Sequence, residues 1–154
     1  MADHIRRVSA DPSERFSATI AALARPADLR ALSLQGLQLV MAMRMCALFE
    51  AAGRDPILEL TTRFRSVTAA RSVLELAEAV RRCWPESFMV HRPCCLALSP
   101  DEHTLAAMIR AVGGRNSAAF HDTLQGLVRA DRLEHLHDVT VRAVAALEAA
   151  NTDC

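Results

Sequence analysis

Apolar residues recur at helical spacing in one window after another along this chain, and nearly every window opens or closes on a residue that starts or stops helices. Phe16, Ile20 and Leu23 stand at i, i+4 and i+7 behind Asp11-Pro12-Ser13-Glu14, a helix-start pattern with proline pre-set for the first turn. A second stripe runs from about Ala27 to Ala52 through Leu29, Leu32, Leu37, Val40, Met43 and Leu48, and Gly53 stops it. Asp55-Pro56 opens a third, with Ile57, Leu60 and Phe64. Val67, Ala70, Val73, Ala77 and Val80 carry the period on to Trp84-Pro85. Whether 54–84 is one helix or two, with a break near Ser66, stays open at this point.

Ser99-Pro100-Asp101-Glu102 is a capping-box pattern ahead of Leu105, Met108, Ile109 and Val112. Gly113-Gly114 ends that helix. Asn116 or Ser117 starts another with Phe120, Leu124, Leu127 and Val128 inward, and a last helix spans about 132–150 with Leu133, Leu136, Thr140, Val144 and Leu147. Only 4% of residues are aromatic and none is tyrosine. A core of Leu, Ala, Val and Met suits helices better than a sheet, which prefers β-branched and aromatic side chains. The expectation is all-α: a single-domain bundle of about six helices with an extended Cys-Cys connector. Residues 1–11 are a flexible arm and 12–150 the domain. At 154 residues such a chain removes about two thirds of its unfolded surface from water without staples.

Basic and acidic residues balance at 18 each, and every basic residue is arginine. A neutral chain has no global electrostatic reason to seek nucleic acid or an anionic membrane. So uniform an arginine bias also discourages reading each arginine as a ligand-binding group. Leu32–Ala52 is apolar enough to raise a membrane span. Yet Arg44 interrupts it, and a span needs roughly 20 predominantly apolar residues. The five cysteines, with a polar N-terminus unlike a signal peptide, suggest free or metal-bound thiols in a reducing cytoplasm.

The chemistry-bearing stretch is His91 to Glu102. Thiolate and imidazole are the ligands zinc and copper favour, and His91, Cys94, Cys95 and His103 fall close together. They form the candidate metal set. Against it, the chain lacks a C-x2-C pair, and adjacent residues of an extended segment point to opposite sides. The inert alternative makes the cysteines small hydrophobes in a crossing connector. Leu98 must pack to anchor the helix that follows and shares the parity of Cys94. Cys94 is therefore expected to be the buried thiol and Cys95 the accessible one.

Arg92-Pro93-Cys94-Cys95-Leu96-Ala97-Leu98-Ser99-Pro100-Asp101-Glu102 resembles a signature in a family of small, uncharacterised alphaproteobacterial proteins. These also carry a Cys-Cys pair just before a Ser/Thr-led helix with an acid three residues on. Arg63-Phe64-Arg65 is similar as well, and the resemblance could span residues 40–150. It implies a cytoplasmic bacterial protein and no particular activity.

Other constellations carry less. His135 and His137 diverge by about 200° on a helix and cannot chelate one metal together; His121 has no partner placed by sequence. Helices 99–112 and 117–130 could form a helix-turn-helix with Arg115 and Asn116 at the recognition-helix start, but Asp101, Glu102, Asp122 and Asp131 flank them and would repel phosphates. Met41, Met43 and Met45 alternate along one helix, so at least one should leave the local core, and methionine adapts to partner surfaces. The favoured reading is a non-enzymatic protein working through protein contacts, a homo-oligomer joined through the Met-rich helix. No cofactor, nucleic acid or membrane is expected. A thiol-based metal or redox sensor at Cys94 and Cys95 is the first alternative, a DNA-binding regulator the second.

Overall fold

The computed structural model describes residues 28–153; the expected arm at 1–11 and the helix start at Asp11-Pro12 lie outside them. Six α-helices follow a short 3-10 turn at Leu29–Ala31: α1 Leu34–Ala51, α2 Ile57–Phe64, α3 Val67–Cys83, α4 Pro100–Gly113, α5 Ser117–Leu124 and α6 Ala130–Thr152. The all-α expectation holds. The one β-type contact among the described residues is an isolated bridge between Asp28 and Ala97.

The helix ends follow their local chemistry. Ser66 Oγ accepts from Ala69 N–H and starts α3. Arg65, just before it, sits in the left-handed region at φ 51°. The chain therefore turns sharply, and 54–84 is two helices. Asp55 Oδ1 accepts from Ile57 N–H at the start of α2, and Asn116 Oδ1 from Ala119 N–H at the start of α5. At the other end, Gly53 has φ 64° just past α1, where a side chain would be strained.

The helix expected to begin near Ala27 begins at Leu34. Ser33 caps it, its Oγ accepting from Gly36 N–H. Upstream, Asp28 caps the 3-10 turn and Leu32 returns to extended geometry. Leu29 reaches the core from this separate turn, which a continuous helix would not require.

The long helices α3 and α6 lie side by side, and α4 contacts α1, α5 and α6. Leu39 and Val40 of α1, Leu60 of α2, Val73, Leu76 and Val80 of α3, Leu105, Met108 and Ile109 of α4, Phe120 and Leu124 of α5, and Leu136, Val139 and Leu147 of α6 are buried in one cluster. Met43 and Met45 are buried too, and Met41 is half-buried. No described helix is long and apolar enough to cross a membrane.

Candidate functional site

One charged side chain from the middle of α1 organises the whole connector between α3 and α4. Arg44 points into the bundle with no side-chain exposure. A guanidinium carries five N–H donors, and all five are used. Nε and Nη2 donate to Glu102 Oε1 and Oε2 at 2.6 and 2.8 Å. Nη1 donates to the carbonyls of Arg92 and Cys95 at 3.2 and 2.6 Å, and Nη2 to the carbonyl of Ala97 at 2.9 Å.

Glu102 is equally saturated. Besides Arg44, its Oε1 accepts from His91 N–H at 3.2 Å and its Oε2 from Ser99 N–H at 2.9 Å. The last contact is half of the expected capping box; the other half is Ser99 Oγ accepting from Glu102 N–H at 3.1 Å. Ser99 Oγ also donates to Met89 O. Next to it, Asp101 accepts from Trp84 Nε1 and from Met89 N–H. The first turn of α4 thus holds the connector at Trp84, Met89, His91 and Ser99, and Arg44 holds it at residues 92, 95 and 97. Among the described residues no buried side-chain nitrogen or oxygen lacks a partner.

The electrostatics follow from the geometry. For Arg44 the hydrogen bond to Glu102 outweighs the cost of burial, so the guanidinium holds its proton more tightly than usual. For Glu102 burial is the largest influence and pushes the carboxyl up. The hydrogen bonds from Arg44, Ser99 and His91, with the Arg44 charge, together overcome it and leave the carboxyl below its ordinary value. Both groups are charged at neutral pH.

The connector is not simply extended. Cys95 N–H donates to Arg92 O at 2.9 Å, which closes a tight turn with Pro93 and Cys94 at its centre. Proline suits the first central position of such a turn. Cys94 therefore stands exposed at the tip, while Cys95 turns back and is half-buried. This reverses the expected order. The alternation argument fails because the turn resets which side each residue faces. Leu98 does pack into the core, at 8% exposure, whereas Leu96 is 47% exposed.

The four candidate metal ligands are used differently from one another. His91 offers its backbone N–H to Glu102, and Cys95 its carbonyl to Arg44. Cys94 is at the turn tip, and His103 is exposed on α4. No group of three or more His, Cys, Asp or Glu among the described residues could hold a metal ion. Elsewhere His121, read as isolated, stacks on His137 with centroids 6.2 Å apart, beside Phe120.

Sequence reasoning met Arg44 only as an obstacle to a membrane span. The available signal was its isolation: it is the only charge between Arg30 and Glu50, and a lone charge on a helix apolar on all sides must find a buried partner. Comparison with protein-family models, curated proteins and solved structures finds no match to this chain.

Proposed function

We propose that the protein acts through protein contacts and that the connector between α3 and α4 is its contact surface. The carrying observation is the use made of Arg44. Burying an ion pair is a poor route to stability, yet here the charge fixes three carbonyls of an irregular loop. Its effect is a single loop shape, and a loop held rigid on a scaffold loses little freedom on binding.

That loop presents apolar side chains to solvent. Met89 is 60% exposed and Leu96 47%, with Arg92 and Cys94 also exposed. A partner matching this surface offers apolar contacts to Met89 and Leu96 and a carboxylate to Arg92. A photo-crosslinking amino acid at Leu96 tests this in cells that make the protein. One discrete adduct is expected, lost on Met89→Asp and absent when the probe sits at exposed Leu58 of α2. Equal adducts from Leu58, or none from Leu96, overturn the reading; an adduct of twice the chain mass makes the partner a second copy.

Exposure of Cys94 beside Cys95 supports a second reading, in which this turn takes soft metal ions or oxidants. Elemental analysis of protein purified without a metal-affinity tag, compared with Cys94→Ser, tests it.

A further inference from the structure

Residues 87–92 of the connector run without turn or bend, and their hydrogen bonds use only one edge. Met89 N–H donates to Asp101 Oδ2 at 2.7 Å, and Met89 O accepts from Ser99 Oγ at 2.6 Å. His91 N–H donates to Glu102 Oε1 on the same side. In extended backbone the N–H and C=O of one residue share a side, and those of its neighbours point the other way. The N–H and C=O groups of Phe88 and Val90 therefore point away from α4. No described residue bonds to them there, and both residues are only half-buried. Beside this open edge lies a cleft of about 210 Å³ between α1 and α3, where Met43, Cys46, Ala47 and Ala77 meet Phe88 and Val90. The exposed Glu50–Arg81 ion pair stands at its rim. An apolar cleft of this size is below the range of sites that enclose a whole small ligand, and it suits a single apolar side chain.

We infer that residues 87–90 take up an extended segment of a partner protein as an added strand, with one apolar side chain of that segment in the cleft. This role rests on the connector being the contact surface proposed above, and adds what it binds. Three features select a strand. Unpaired N–H and C=O groups at every second residue are a template for another extended chain. Side chains of a paired strand on the Phe88 and Val90 face meet the cleft, and those on the other face meet Met89, which is 60% exposed. The edge is also fixed beforehand. Asp101, Ser99 and Glu102 hold Met89 and His91, and Phe88 packs edge-on against Trp84 with centroids 5.0 Å apart, so little freedom is lost on pairing.

The test follows single amides of the full chain by hydrogen exchange, with and without short linear peptides selected on it from a random displayed library. In the free protein Met89 and His91 are expected to exchange slowly, and Phe88 and Val90 fast. The selected peptides are expected to slow Phe88 and Val90 and to leave Met89 and His91 unchanged. Binding is expected to weaken about tenfold when alternate peptide amides are N-methylated, the loss of about one hydrogen bond. Ala47→Leu, which fills the cleft, is expected to weaken it as well, whereas Leu58→Asp on α2 has no effect. Failure to select any peptide, or peptides that bind without slowing Phe88 and Val90, would overturn the inference. Peptides lost on Met89→Asp but indifferent to Ala47→Leu and to N-methylation would remove the added strand while keeping the connector as the contact surface. Protection of Phe88 and Val90 in the dilute free protein would give the edge to this chain itself, and protection that rises with concentration would give it to a second copy; either result overturns the inference.

Discussion

Arg44 and Glu102 lie 58 residues apart in sequence and meet through two hydrogen bonds, with neither side chain touching solvent. Removing one partner of such a pair leaves an uncompensated buried charge. Arg44→Met should therefore cost about 3–5 kcal/mol in urea unfolding. An isolated buried pair often tolerates joint replacement by apolar residues, but this one should not. Arg44→Met with Glu102→Met would strip these partners from the carbonyls of Cys95 and Ala97 and from the N–H groups of His91 and Ser99, while Arg92 O would keep its bond from Cys95 N–H. Each buried group left unpaired costs about 1–3 kcal/mol, so the double variant should stay well below the parent. A double variant as stable as the parent would show that the network adds nothing beyond the pair.

Ser99 bonds in two directions, to Glu102 N–H and to Met89 O. Ser99→Ala should lower stability by about 0.5–2 kcal/mol. Because Met89 O loses its donor, amide exchange in residues 88–91 should also quicken. A change in stability with no local change in exchange would mean that the serine only caps.

Thiol reactivity should follow the turn. Cys94, at the exposed tip, should label first and Cys95 more slowly. Burial pushes the Cys46 thiol up to about 11 and raises Cys83 as well, the latter partly countered by Arg132. Both should stay protected at neutral pH, since the thiolate is the reactive form. Peptide mapping after timed labelling of native protein checks the order.

Acid should weaken the site in a defined direction. Glu102 has a folded value below its ordinary one of about 4.3. Its stabilisation is complete above that ordinary value and is lost as pH falls through the folded value. The urea midpoint of the parent should drop across this window, and Glu102→Gln should lack that part of the slope. Identical slopes would move the acid sensitivity to other carboxylates.

What was legible from sequence was local. The Ser99–Glu102 box spans three residues, and its partners are named by the pattern itself. The same holds for Asp55 and Asn116. The break between α2 and α3 was not decidable, because it rests on Arg65 adopting a left-handed conformation with no glycine or proline to announce it. Ser33 starts α1 inside an apolar stripe that runs through it from Leu29 and Leu32, so the spacing alone hides the boundary. The order of Cys94 and Cys95 escapes the alternation argument because that argument needs an extended connector, whereas Pro93 and Cys94 form the centre of a turn. Arg44 was the largest omission. Its partners come from a distant helix start and from main-chain carbonyls, which no side-chain pattern encodes.

The Arg92–Ala97 loop also bears on how this chain tolerates change in length. Surface connections usually accept insertions and deletions. Here three carbonyls must reach one planar fork while Ser99 stays in register with Glu102. One residue added or lost between Pro93 and Leu98 rotates those carbonyls away from the guanidinium. The stretch that looks most dispensable by secondary structure is therefore the one whose residue count is most tightly constrained, and grafts or tags belong elsewhere on the molecule.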